Sequence, residues 1–169
     1  MLSTLTNPFG AYPLAGSLIP LLALLVAAAA IDCRQRRIPN GLIALGLGSA
    51  ALCQLLLPAG IHPLSPQEAG TPGLFSGLAA GGLVLVIGFA LWRLRVFGAG
   101  DAKWLAVTAA HAGPALVASQ LLLTALAGGL LALVWAAAGR RDPMPYAVAI
   151  ALGQFGLMSL FILDSAPHP

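Results

Sequence analysis

The sequence predicts an all-α membrane protein: a bundle of six transmembrane helices with both termini outside (periplasmic) and the basic loops cytoplasmic. Three observations predict it. Of the 169 residues 59% are hydrophobic and 8% charged, with a mean hydropathy of +0.94, far from the composition of soluble domains. The apolar residues are gathered into continuous runs rather than the alternating pattern of a membrane barrel. All eight Lys and Arg fall in or directly beside alternate connections between those runs, which is the signature of positive-inside topology.

The runs lie approximately at residues 13–31, 41–57, 74–92, 101–113, 115–138 and 144–163. A bilayer offers no partners for backbone amides, so helix is the state open to each of them. The first run follows MLSTLTNPFGAY, which has no Lys or Arg; without the basic region of a cleavable signal peptide, this helix is expected to stay. The second ends at PAGIHPLSPQEAGTPG, a Pro- and Gly-rich stretch expected to be an irregular outer loop. In the third, Gly73, Gly77 and Gly81 recur every four residues, a spacing that admits close helix contact. Packing within the bundle is preferred there to a homodimer. The fourth run is short and the fifth follows it after Gly113-Pro114, so residues 1–169 read as a single polytopic membrane domain in contact with the lipid bilayer.

Orientation follows from the cations. Arg34, Arg36 and Arg37 follow the first helix, Arg93, Arg95 and Lys103 flank the connection after the third, and Arg140 and Arg141 follow the fifth. The remaining connections have none, which places the three basic connections in the cytoplasm. The pI of about 9.4 therefore reflects topology, and with no basic face or aromatic–basic module no nucleic-acid partner is expected. Cys33 and Cys53 form no CxxC pair, and no cluster of His, Cys, Asp and Glu has metal-ligand spacing. No metal and no cofactor are expected. No serine has a credible histidine partner on its own side of the membrane, which argues against a serine protease. Trp92 and Trp104 read as interfacial anchors, with Trp104 also a candidate to line a cleft.

Five acidic residues remain: Asp32, Glu68, Asp101, Asp142 and Asp164. Glu68 and Asp164 fall in solvated outer positions, and Asp142 in RRDP reads as a turn residue before Pro143. Asp32 ends the first apolar run and Asp101 begins the fourth, so the topology brings both to one membrane boundary across 69 positions of sequence. Carboxylates at membrane depth are costly unless paired, hydrated or used. Each has a plain structural alternative: Asp32 paired with Arg36 one turn on, worth roughly 0.2–0.5 kcal/mol, or Asp101 as an N-cap, worth about 1 kcal/mol. Taken jointly they favour function.

Two close carboxyl groups can share one proton, one acting as base toward water and the other as acid toward a carbonyl or leaving amine. That suits peptide hydrolysis. In VFGAGDAKW, Gly98 and Gly100 are expected to allow unusual backbone conformations or the close approach of a substrate strand. The dipole of the fourth helix favours an anion at Asp101 and that of the first disfavours one at Asp32, which makes Asp101 the first base and Asp32 the acid; the nearby arginines push the other way.

The ordered set of Asp32 with Ile38-Pro39-Asn40, GAGDAKW at Gly98–Trp104 and PYAVAIALG at Pro145–Gly153 resembles the type IV prepilin leader peptidases, aspartic proteases of the GxGD kind. The resemblance covers most of the chain. It implies an inner-membrane endopeptidase that removes the basic leader of prepilins and pseudopilins at the cytoplasmic face. Asp32 and Asp101 match the family's catalytic aspartates; Gly98, Gly100, Lys103, Pro39 and Asn40 match its surrounding motifs. Lys103 is either a positive-inside anchor or a group that orients the site or meets an acidic residue just after the cleavage point. The chain departs from the longer members in having no CxxC insertion and no nucleotide-type glycine loop, and so looks like the short form of Flp-type, tight-adherence pili, with cleavage and no methyl transfer. The alternatives are a non-catalytic scaffold of pilus assembly, or a small proton- or cation-coupled transporter, against which stand the absence of an inverted repeat and of a polar path leading outward from the aspartates.

Overall fold

A computed structural model describes residues 12–56 and 73–164. Among them are six helices and no strand: α1 (Tyr12–Gln35), α2 (Asn40–Leu56), α3 (Gly73–Arg93), α4 (Ala99–Ala112), α5 (Val117–Ala137) and α6 (Tyr146–Asp164). The helices fall within a few residues of the apolar runs, because the runs are bounded by Pro, Gly and charge. The first differs most, continuing past the hydrophobic stretch so that Asp32 sits one turn inside its C-terminus. The N-terminal stretch, the loop with His62 and Glu68, and His168 lie outside the described residues.

Two of the helices, over Phe75–Arg93 and Val117–Ala137, are long and apolar enough to cross a membrane; α2 and α6 are apolar but shorter. Large apolar side chains point outward along the bundle, including Leu45, Leu52, Val86, Leu126 and Leu133, each more than half exposed. A surface this greasy suits lipid rather than water.

The organising element is α4, the shortest of the six, buried from Trp104 through Ala112. It packs against α2, α3, α5 and α6. Contact with α3 is the most extensive and depends on missing side chains: a Cβ on Gly81 would lie 2.8 Å from the Ala106 carbonyl oxygen, and one on Gly88 2.8 Å from the Ala102 Cβ. Gly77 is pressed against the Gln54 side chain and the Ala110 carbonyl. Gly77 and Gly81 thus serve packing inside the bundle, where close backbone approach replaces the hydrophobic drive that lipid removes.

Trp104 is wholly buried in the core with Leu21, Leu25 and Ile150. Its expected place at the interface is therefore corrected: it is one turn along α4 from Asp101, on the face turned inward. The interior also holds polar groups. Gln120 donates to the Thr108 hydroxyl, which itself donates to the Leu105 carbonyl at 2.9 Å. Thr124 of α5 and Gln154 of α6 are buried as well. His111 is buried, its Nδ1 2.9 Å from the Val107 carbonyl and its Nε2 3.2 Å from the Ser49 hydroxyl. A helix bundle can hide such small amides and hydroxyls, which a hydropathy window averages away.

Candidate active site

The connections α1–α2, α3–α4 and α5–α6 come together at one end of the bundle. Asp32 is 6% exposed. Its Oδ2 accepts a hydrogen bond of 3.1 Å from the backbone N–H of Ala147, in the first turn of α6. First-turn amides have no partner within their own helix, so an acceptor-only carboxylate completes them. The side chain of Asp32 is not engaged by Arg36. That arginine reaches Asp142 instead, at 2.6 Å.

Asp101 is the third residue of α4. The N-cap is Gly98, with no side-chain cap hydrogen bond, so Asp101 does not serve as a cap. Its carboxylate folds back over Gly98, where any Cβ would collide with it. Gly98 has φ −76° and ψ 139°, ordinary extended backbone that any residue adopts, and Gly100 lies within the helix. What Gly98 supplies is space for the carboxylate, whereas a Cβ on Gly100 would stand 3.7 Å from the Ile38 backbone nitrogen, an ordinary contact distance. The unusual-backbone argument is thus corrected for both, and close approach takes its place at Gly98 alone.

Asp101 lies within electrostatic reach of Asp32 and of Tyr146. The first helix turn of α6 therefore borders both carboxylates. Tyr146 is half-buried, with its ring edge-on to Phe97 at 5.0 Å and lodged against Gly128 of α5. Since Asp32 faces the C-terminal half of its own helix and the N-terminus of another, two opposing fields act on it, and the acid–base assignment drawn from each aspartate's own helix loses its basis.

The remaining motif residues also converge. The Lys103 ammonium donates to the Asn40 Oδ1 at 3.2 Å, and Pro39 begins the turn into α2, its carbonyl accepting from the Leu42 amide at 3.0 Å. Asn40 and Lys103 thereby tie the first connection to α4.

Sequence reasoning missed a clamp on the other side. Arg36 has φ 54°, a left-handed conformation that non-glycine residues seldom adopt. Its guanidinium bonds Asp142 and lies 5.3 Å from the Trp135 ring centroid, while Arg140 covers that ring at 4.3 Å. The Trp135 Nε1–H donates to the Asp142 carbonyl at 3.0 Å. The cluster fastens the α5–α6 loop to the α1–α2 loop, and so holds the first turn of α6 over Asp32. The only signal in the sequence was charge of opposite sign in two loops, which topology alone could not pair.

No curated protein and no solved structure matches the chain. A family model does: that of the type IV leader peptidase family matches residues 19–133, a span that holds both aspartates and well over half of the 169 residues. The chain belongs to the type IV leader peptidase family.

Proposed function

We propose that the chain is a multi-pass aspartic endopeptidase of the inner membrane, with termini outside, that cuts the leader from Flp-type prepilins or pseudopilins at the cytoplasmic face. The observation that carries this reading is the meeting of Asp32 and Asp101 at one end of the bundle with neither in its simpler structural role. Asp32 is buried without its arginine, and Asp101 caps nothing. Carboxylates so placed are functional candidates.

In the proposed reaction the two carboxyl groups share one proton. The ionised carboxylate takes a proton from water as the water oxygen bonds to the scissile carbonyl carbon, and the protonated partner gives its proton to the carbonyl oxygen. The resulting gem-diol collapses when a proton passes to the amide nitrogen and the C–N bond breaks. The leader leaves with a new carboxylate and the mature protein with a free amine. The Ala147 N–H orients Asp32, and the space above Gly98 lets Asp101 turn toward its partner. Neither step calls for a methyl transfer.

A second reading, a carrier that moves protons or cations through Asp32 and Asp101, draws on the buried Thr108, Gln120, Thr124 and Gln154. The two separate on one experiment. Co-expressed Flp-type prepilin is compared in cells carrying wild type, Asp32→Asn or Asp101→Asn at equal membrane abundance. Loss of the shortened product in both variants is expected. Undiminished processing by either variant removes the two-aspartate mechanism.

A further inference from the structure

A run of contacts joins the two carboxylates through side chains that the proposed reaction does not use. Asp32 accepts the Ala147 amide, and Ala147 follows Tyr146, the first residue of α6. The Tyr146 ring meets the Phe97 ring edge-on, with 5.0 Å between centroids and 85° between planes. Phe97 precedes Gly98, over which the Asp101 carboxylate is folded. Neither end of the run has much slack. Pro145, just before α6, has a fixed φ, and its carbonyl accepts the Val148 amide at 3.2 Å to close the first turn. In the connection from α3 to α4, Leu94 and Val96 are 69% and 72% exposed, whereas Phe97 packs against the core and so ties that connection to the bundle.

The ring also has a support behind it. A Cβ on Gly128 of α5 would stand 2.9 Å from the Tyr146 Cε2, 3.2 Å from its Oη and 3.3 Å from its Cζ, the three nearest atoms apart from its own stretch of helix. With only hydrogen there, the ring rests on helix backbone. In turn α5 is laid closely on α6, since a Cβ on Gly153 would come 2.7 Å from the Thr124 backbone nitrogen. The support and the helix that carries Tyr146 therefore form one packed unit. The ring has a firm wall at Gly128 and an aromatic edge against it at Phe97.

We propose that Tyr146 is a positioning residue: its ring, wedged between the Gly128 backbone and Phe97, sets how far the first turn of α6, with Asp32, stands from the Gly98 seat of Asp101. The role rests on the peptidase reading above. Two carboxyl groups that act on one water and one carbonyl need a fixed separation, and a displacement of about 1 Å costs about 10²-fold in rate. An aliphatic side chain could fill the same volume, but it would change rotamer and leave the separation loose. A flat ring caught between backbone and an aromatic edge does not. Two other roles compete with this one: the hydroxyl acting directly on the reacting carbonyl, and core filling with no bearing on the reaction.

The test moves the ring from behind. Gly128→Ala presses a methyl onto Tyr146, and Gly129→Ala, where a Cβ meets nothing within 4 Å, is the control. Cleavage of full-length prepilin is measured in lipid nanodiscs, well below the unfolding midpoint of each variant, so that only folded protein is compared. Gly128→Ala is expected to lower kcat about 10- to 100-fold with KM within about twofold, the pattern of an interaction made only in the transition state, while Gly129→Ala changes neither. Tyr146→Leu is expected to lose as much, and Tyr146→Phe to restore kcat to within about threefold of wild type, because the ring returns. In the Tyr146→Leu background Gly128→Ala is expected to cost nothing further, since residues that act through one contact are not additive. The two Tyr146 variants decide the matter should Gly128→Ala fail to fold. Wild-type kcat in Gly128→Ala or Tyr146→Leu, or additive losses in the double variant, overturns the proposal. So does a loss in Tyr146→Phe equal to that in Tyr146→Leu, which would make the hydroxyl the acting group. A wild type that cuts nothing removes the peptidase reading and this role with it; a wild type that cuts, beside variants that cut equally well, removes this role alone.

Discussion

The two faces of α4 meet different surroundings and are built differently. Toward α1 and α6 the surroundings at the basic end are polar: Asp101 is within electrostatic reach of Asp32 and Tyr146, and Asp32 is tied to the first turn of α6. Toward α3 the contacts are made by omission, through Gly81 and Gly88 laid on Ala106 and Ala102. On the proposed reading the polar face positions the reacting groups at the cost of burying charge, while the glycine face supplies the tight packing that keeps α4 in place. A change on the first should cost turnover and leave the fold, and a change on the second should do the reverse.

The largest separation is expected at the carboxylates. Asp32→Asn and Asp101→Asn should each lower prepilin cleavage by roughly 10²–10⁴-fold, with unfolding in detergent unchanged; a matching loss of stability would make the aspartates structural. Next comes Gly98→Ala, whose backbone is unstrained at φ −76° but whose methyl must push the Asp101 carboxylate aside. Turnover should fall about 10- to 100-fold, as expected for a misplaced reacting group, and full activity would show that Asp101 works in another rotamer.

On the opposite face, Gly81→Leu drives a side chain into the Ala106 carbonyl and should destabilise the bundle by about 1–3 kcal/mol, measured as the midpoint of unfolding in mixed micelles. Its neighbour Gly82→Leu should leave that midpoint alone; equal effects at both positions would contradict the packing of α3 on α4. The smallest effect belongs to the clamp. Arg36 and Asp142 are 30% and 49% exposed, so Asp142→Asn should cost about 1 kcal/mol or less. Because the clamp holds the first turn of α6 over Asp32, kcat should fall more than stability, and the exchange of Arg36→Asp with Asp142→Arg should restore part of it. A variant with normal kcat would leave the Ala147–Asp32 bond independent of the loops.

The site was legible in the sequence to the extent that its parts are rare there. Five acidic residues in 169 make any one at the edge of an apolar run conspicuous, and alternation of basic loops assigns Asp32 and Asp101 to one end. The contribution of α6 was not legible in the same way, since Tyr146 and Ala147 carry no charge and their role depends on where a helix terminus is aimed. The interfacial reading of Trp104 failed because tryptophan near a membrane boundary usually faces the interface, whereas here α4 is enclosed by its neighbours and turns that residue inward. The pairing of Arg36 with Asp142 rather than Asp32 was likewise out of reach: both partners are equally near in chemistry, and only the docking of two loops selects between them.

Composition and the placement of charge determined by themselves that this chain is helical, how many helices it forms, and which residues are candidates for chemistry. These follow from local constraints: unpaired amides cannot remain in an apolar medium, and charge is confined to the ends of apolar segments. Only the tertiary structure decided which helix end meets Asp32, which glycines make room for packing and which for a carboxylate, and where α2 and α3 part to leave a groove. Those outcomes depend on contacts between residues far apart in the chain, whose distances and angles no local pattern encodes.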